Sequence, residues 1–366
     1  MKSTFVYFLT GLILSVLFTF PSMASLIEPR VMNITRAKTA IRLDGILDEP
    51  DWTQAEVTTN FWQRYPYDSS YSDLKTEVRV TYDDRFLYVG AVCHTEHQKD
   101  YVINSLRRDF NGSGNDAFYF IINPFNDRMS GYYFGTSPYG VQSEAIIQNG
   151  GALVSRHSTS TNPSWDNKWY VEVKQYNDKW VAEMSIPFST LRFKEGVDHW
   201  RVNFCRVDYG HNEYSNWNHI PRNFSFSSLA NTGIMAWDEA PSRPGSNISL
   251  IPYGSTGMGK NYEEGTPSNW IKGIGGDAKI GLTSSINLDL TINPDYSQVE
   301  VDEQVTNLDR FEIFYPEKRQ FFLENNDLFS EFGVRESRPF FSRRIGITYD
   351  EDQDQYVETP ILFGAR

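Results

Sequence analysis

Cysteine is almost missing. Cys93 and Cys205 are the only two in 366 residues, so a framework of several disulfides is excluded. Both stand in strand-like runs, and the sequence leaves a bridge between them and two buried thiols equally open. Histidine is scarce as well, at 6 residues. His94 and His97 are three apart at the end of a strand-like run, but zinc needs three or four ligands and no second cluster accompanies them. Positive charge is in short supply, with 34 Lys and Arg against 47 Asp and Glu and a net charge of −13. That balance excludes nucleic acid as a partner, because neutralising phosphates needs a basic face. The nucleophile elbow, the phosphate loop and the dinucleotide fingerprint are all absent, as is EF-hand spacing. No cofactor follows from the residues themselves.

Long apolar runs are absent too, with one exception at the N-terminus. "MKSTFVYFLTGLILSVLFTFPSMA" has Lys2, an apolar run from about Phe5 to Phe20, then Ser22 and Ala24. This is the layout of a secretory signal peptide at 1–24, cleaved after Ala24. An uncleaved anchor is the other reading, though the run is slightly short to span a bilayer. No cysteine follows the cleavage site to carry a lipid.

What the chain has in quantity is aromatic side chains, at 15%, which favour β-structure. Short alternating runs separated by Gly, Asn, Asp and Pro predict an all-β chain with a β-sandwich first. "KTEVRVTYD" and "RFLYVGAVC" predict a hairpin turning at Asp83–Asp84. Helical signal is confined to "DEPDWTQA", where Pro50 suits a first helical position, and to a turn in "FSTLRF". "DEAPSRPGSNIS" (Asp238–Ser249) reads as a domain boundary. Beyond it, Ile286, Leu288, Leu290 and Ile292 keep a strict period of two, as do Ala278, Ile280 and Leu282. Such strands fit a second soluble domain or the wall of an outer-membrane barrel. About four to six strands fall short of the roughly eight that close a barrel, so the expectation is the start of a barrel, incomplete as it stands.

Carboxylates and rings are the remaining carriers of chemistry. Glycoside hydrolysis needs two carboxylates roughly 5–10 Å apart. Glu144, Glu172 and Glu183 lie in strand-like runs, and alternation predicts the solvent face for such acids. Trp165, Trp169, Trp180, Trp200, Trp217, Trp237 and Phe226 supply candidate stacking platforms, with core packing as the plainer reading. The stretch "NPDYSQVEVDEQVTNLDRFEIFYPEKRQFFLENNDLF" (Asn293–Phe329) fits neither a loop nor a core. Its aromatics are expected to line an interface, and its acids a polar lumen or a contact with the sandwich.

The runs "AIRLDGILDEPDW", "TEVRVTYDDRFLYVGAVC", "GNDAFYFIINP" and "KWVAEMSIPFSTLRF" resemble, in order, the family-nine carbohydrate-binding modules, over about Ile34–Trp237. The resemblance implies a β-sandwich that holds a sugar between two tryptophans and carries structural calcium. It places Ser113 at the first ring position and Phe226 at the second. Trp217 is a further candidate ring, with Asn216, Asn218 and Arg222 as polar partners. The Asn293–Phe329 stretch, with "WDNKW", "FFSRRIG" and "TPILFGAR", resembles exported bacterial proteins that join such a domain to an outer-membrane β-barrel. The expectation is thus a signal peptide at 1–24, a sandwich at 34–240 and a barrel start at 241–366. Glycan binding at the outer membrane is the expected function. A hydrolase of O-glycosyl bonds, or an accessory module in polysaccharide catabolism, is the first alternative. A structural domain that gates the barrel without sugar is the second.

Overall fold

The computed structural model describes residues 28–95, 101–110, 112, 114–152, 160–163, 165–241, 248–260, 267–282, 287–296, 306, 315, 317–323, 340–351 and 354–366. The signal peptide, His97, Ser113, residues 242–247 of the boundary and most of 297–339 lie outside them. The chain is mostly β. The first region contains β1 (Val31–Arg36), α1 (Pro50–Gln54), β2 (Trp62–Tyr65), β3 (Thr76–Tyr82), β4 (Phe86–His94), β5 (Ala117–Asn123), β6 (Gly131–Thr136) and β7 (Gln142–Ile147). It continues with β8 (Thr161–Asn162), β9 (Tyr170–Gln175), β10 (Lys179–Pro187), β11 (His199–Asp208), β12 (Glu213–Asn216) and β13 (Gly233–Trp237).

One sheet runs β8-β7-β6-β5-β11-β13-β1, with β12 on β11 and β2 on β12. The other runs β1-β3-β4-β10-β9. β1 belongs to both: Val31–Ile34 pair in parallel with β13, and Thr35–Arg36 with β3. The hairpin expected at Asp83–Asp84 is present, and Asp83 Oδ1 accepts from the N–H groups of Arg85 and Phe86, both at 2.7 Å. Between the sheets lies the main core. Val78, Val80, Leu87, Val89 and Met184 from one side meet Phe118, Phe120, Phe134, Val202 and Phe204 from the other. Trp165, Trp169, Trp180, Trp200, Trp217 and Trp237 are all buried. None of these six is a surface platform; flat rings fill the space between pleated sheets, in line with the plainer reading.

The placement of the acids departs from the expectation. Glu172 on β9 is exposed, whereas Glu144 and Glu183 are fully buried. β10 is an interior strand whose second face is covered by the Asp44–Trp52 segment. Glu183 Oε2 accepts from the N–H groups of Asp44 at 2.9 Å and Gly45 at 3.0 Å, and Oε1 from Trp52 Nε1 at 3.2 Å. Gly90, opposite Glu183, admits this layer because a Cβ there would meet the Leu47 side chain at 2.8 Å. Asp51 holds the same layer down by accepting from Lys38 and Thr39 N–H at 2.8 and 3.0 Å. Glu144, on β7, takes the Arg108 side chain, whose Nε donates to it at 3.0 Å.

Burial pushes both carboxyls up to about 7, against the pull of Arg108 on Glu144 and of Asp44 and Gly45 N–H on Glu183. Between the ordinary glutamate range and about 7, the folded state holds protons that the unfolded chain releases. Rising pH therefore favours unfolding across that window. The melting temperature is expected to fall from pH 5 to pH 8. A Glu144→Gln variant should flatten the slope, and an unchanged slope would contradict the assignment.

The second region differs in texture. β14 (Ile248–Gly259), β15 (Asn269–Gly281), β16 (Asn287–Ile292) and β19 (Phe363–Ala365) form one antiparallel sheet in the order β14-β15-β16-β19. β17 (Ile347–Asp350) and β18 (Gln355–Glu358) form a hairpin, and α2 (Gln320–Leu323) is one turn. The pairing register sorts the sheet into two faces. One carries Ile248, Leu250, Met258, Trp270, Ile274, Ala278, Ile280, Leu290, Ile292 and Phe363, with Thr256 and Lys272 as polar exceptions. The other carries Ser249, Ser255, Asp277, Lys279, Asp289 and Thr291, with Ile251, Tyr253 and Ile271 as apolar or aromatic exceptions. The apolar face is the barer one: Leu250 is 71% exposed, Ile274 81% and Phe363 78%, while on the other face Asp289 and Thr291 are buried and Ile251 and Ile271 are exposed. No helix among the described residues is long and apolar enough to cross a membrane.

The polar face meets the described part of the acidic-aromatic stretch. Glu317 accepts from Arg319 N at 2.9 Å, Arg319 Nη2 at 2.8 Å and Ser342 Oγ at 2.5 Å. The Arg319 guanidinium lies 4.4 Å over the Phe322 ring and 5.5 Å from that of Tyr296. Here acids and rings coexist because one arginine satisfies both, with a carboxylate at its edge and rings on its face. Contacts reach the sandwich: Asn162 Nδ2 donates to the Glu317 carbonyl at 3.0 Å, and Arg192 pairs with Asp289 at 3.6 Å. Phe311, Phe314 and Phe329 lie outside the described residues.

Candidate functional site

Outside the main core, the β5-β6-β7-β11 sheet has a second apolar face, built from Phe110, Tyr119, Ile121, Tyr133, Ala145, Cys205 and Val207. Tyr119 sits opposite Gly135, and a Cβ on Gly135 would fall 2.4 Å from the Tyr119 ring. Glycine there lets the ring lie against the backbone. Phe226, half-buried, leans on this layer with its ring 5.3 Å from Tyr119 and 5.8 Å from Tyr133. Part of the Phe226 ring is thus taken by its own fold and part faces solvent.

The edge of this face is made by β2 on β12. Tyr65 stands opposite Tyr214, and a register shift follows between Tyr214 and Ser215. Bulges of this kind re-aim side chains at sheet edges. The rings of Tyr65 and Tyr214 meet edge to face at 5.8 Å. After β2 the chain turns back through Asp68, whose φ is 52°. Asp68 ties this turn to the 217–226 segment. Its Oδ1 accepts from Trp62 Nε1 and pairs with His219 Nε2, both at 2.9 Å, and its Oδ2 accepts from Arg222 N at 3.0 Å. Burial pushes the Asp68 carboxyl up, but these hydrogen bonds together hold it below the usual range.

Two guanidinium groups sit on this scaffold. Arg222 is exposed, lies 4.8 Å over the Tyr65 ring and donates to the Pro66 carbonyl at 3.0 Å. Arg64 donates from Nη2 to the carbonyls of Arg222, at 3.3 Å, and Phe224. Its Nε is buried without a hydrogen-bond partner. Burial lowers the Arg64 pKa; Cys205, Asp68 and Tyr214 oppose that, while Arg222 adds to it. Phe224 is 41% exposed, and Tyr67 and Tyr71 stand out further along the same turn.

Of the residues singled out in the sequence, Phe226 and Arg222 belong to this surface. Trp217 does not: it is 1% exposed, 5.5 Å from Phe204 in the core, and offers no face to a ligand. Asn216 and Asn218 are buried as well. Asn216 Nδ2 contacts Cys205 Sγ at 2.5 Å, and Asn218 Nδ2 donates to the Asn231 carbonyl at 2.9 Å. Their amides serve the backbone and core, which the mixed composition of the run does not reveal. Arg64, Tyr65, Tyr214 and Phe224 were missed. The run "FWQRYPYDSSY" carried the signal, with rings and an arginine leading into a Pro-Asp-Ser turn.

Other candidate chemistry finds no site among the described residues. Cys93 and Cys205 are free and buried, one in each apolar cluster, and burial pushes both thiols up to about 12. Among the described residues there is no group of three or more His, Cys, Asp or Glu that could hold a metal. The "GNDAFYF" run serves the fold. Its Asn115 and Asp116 accept from the N–H groups of Asn104 and Val102 at 2.6 and 2.9 Å and fix that loop. Glu144 and Glu183 are inside the fold, each with its own partners, and carry no hydrolytic reading.

What the geometry defines is a β-sandwich with an aromatic and guanidinium surface, linked to an amphipathic antiparallel sheet. Residues 244–361 match a family model described as "Domain of unknown function (DUF5916)". No curated protein matches the chain. Among solved structures, the chain is similar to a family 9 carbohydrate-binding module from Caldicellulosiruptor kristjanssonii. In complex with cellotriose it gives 14% identity and a TM-score of 0.38, covering 59% of this chain and 96% of that one. In complex with glucose the values are 14%, 0.38, 59% and 100%. A "putative carbohydrate-binding protein" from Bacteroides uniformis gives 13% identity and a TM-score of 0.42, covering 58% of this chain and 99% of that one. At such identities and scores these likenesses assign neither a fold nor a ligand to the chain.

Proposed function

We propose that this is an exported outer-membrane protein whose sandwich binds a glycan on the surface formed by Phe226, Phe224, Tyr65, Tyr214, Arg64 and Arg222. The observation that carries the ligand class is the composition of that surface. Ring faces suit the C–H faces of a sugar, and planar donors beside them suit its oxygens. The motif resemblance of Ile34–Trp237 to family-nine carbohydrate-binding modules supports the same reading, and Phe226 stands at the position it marks. In this proposal the 248–365 sheet forms part of a β-barrel wall, its apolar face against lipid and its polar face towards the lumen. The inverted alternation supports that part.

The ligand reading is tested by retention of the full chain, in detergent micelles, on immobilised glycans. Phe224→Ala and Phe226→Leu remove rings while largely sparing the packing. Each is expected to weaken retention by about tenfold, the loss that follows from ~1–1.5 kcal/mol of ring contact.

A second reading rests on its own observation. Arg192 on Asp289 and Asn162 on the Glu317 carbonyl join the sandwich to the polar face and its covering segment. In that reading the sandwich is a scaffold or gate for the barrel and binds no sugar.

A further inference from the structure

We infer that the saccharide recognised at the Phe226 surface is anionic, with Arg64 and Arg222 receiving its carboxylate, sulfate or phosphate group. The inference rests on the glycan reading above and adds the charge of the ligand.

The first ground is charge. The chain carries a net charge of −13, and several guanidinium groups of the sandwich pair with acids. Arg42 pairs with Asp44 at 2.9 Å, Arg79 with Glu77 at 3.5 Å and Arg206 with Asp208 at 3.0 Å, and Arg36 and Arg108 pair with Asp84 and Glu144. Arg64 and Arg222 form no ion pair with a carboxylate among the described residues, yet they are held side by side. Asp68, the acid of this corner, is committed to Trp62, His219 and the Arg222 backbone. Two guanidinium groups beside the single carboxylate of Asp68 leave the corner with a positive potential, which an anion relieves.

The second ground is geometry. Arg222 is fixed by the Pro66 carbonyl and the Tyr65 ring, so its fork is oriented before a ligand arrives. Arg64 is fixed by the carbonyls of Arg222 and Phe224, so its guanidinium is likewise held in place. Planar forks match carboxylates and oxyanion esters in two-point contacts. Phe224, which is exposed, and Tyr65 supply rings at the same corner for the sugar body.

The test uses the full chain in detergent micelles on four probes: oligogalacturonate, its methyl ester, dextran and dextran sulfate. The inference predicts retention on oligogalacturonate or dextran sulfate at least about tenfold above its neutral counterpart. Which of the two is retained identifies the anion as carboxylate or sulfate ester. Arg222→Gln should abolish that preference with the melting temperature unchanged, and Arg64→Lys, which keeps the charge but not the fork, should weaken it. Equal retention on charged and neutral probes would overturn the inference and leave the glycan reading standing. An anion preference that survives Arg222→Gln would overturn the placement. Retention on none of a broad panel of glycans would sink the glycan reading itself.

Discussion

Replacing Glu183 by alanine is expected to lower the stability of the sandwich by about 4 kcal/mol, a large part of what it has. The carboxylate is fully buried and receives three donors: Asp44 N–H, Gly45 N–H and Trp52 Nε1. Each buried donor left without a partner costs about 1–3 kcal/mol. Domains of this size have only about 5–15 kcal/mol in total. Glu183→Gln keeps one acceptor and should cost less. Chemical denaturation of the two variants beside the parent checks both the size and the order. If Glu183→Ala unfolded at the parent's midpoint, the Asp44–Trp52 layer would not depend on this carboxylate.

A charge on the apolar face of the second sheet should be nearly as damaging, but only in a bilayer. Ile274 lies mid-strand on β15, opposite Gly254, and is 81% exposed. In water an exposed arginine in its place would be harmless. Facing lipid near the midplane, Ile274→Arg should cost ~2–4 kcal/mol of folding stability in liposomes. Ser255→Arg, at a comparable point on the polar face, should cost far less. Urea titrations in lipid vesicles give the comparison. Equal effects for the two variants, or none for Ile274→Arg, would remove the lipid-facing assignment.

Much of the fold was legible because its strands alternate and its turns carry their own chemistry. The Asp83–Asp84 hairpin and the Pro50 helix start follow from local rules alone. The second sheet was legible for the same reason, since Leu288, Leu290 and Ile292 share a face whatever covers it. The buried acids were not. Alternation assumes that one face of a strand meets water, and at Glu183 a loop from far upstream, around Asp44 and Gly45, occupies that face. The site was half legible. Phe226 came from a motif and Arg222 from composition. Trp217 and Asn218 have the same composition but point into the core, and only three-dimensional packing separates the two kinds. Arg64 was missed because its partner, Arg222, is far away in sequence and is brought near by Asp68.

Glycan binding on the Phe226 surface is tested most directly by titrating the parent and the Phe224→Ala and Phe226→Leu variants with a retained glycan, at a temperature where all three are folded. The account predicts measurable affinity in the parent, a loss of about tenfold in each variant, and melting temperatures close to the parent's. Undiminished affinity in both variants would place the ligand elsewhere. No affinity for any glycan would leave the sandwich as a scaffold joined to the second sheet through Arg192 and Asp289.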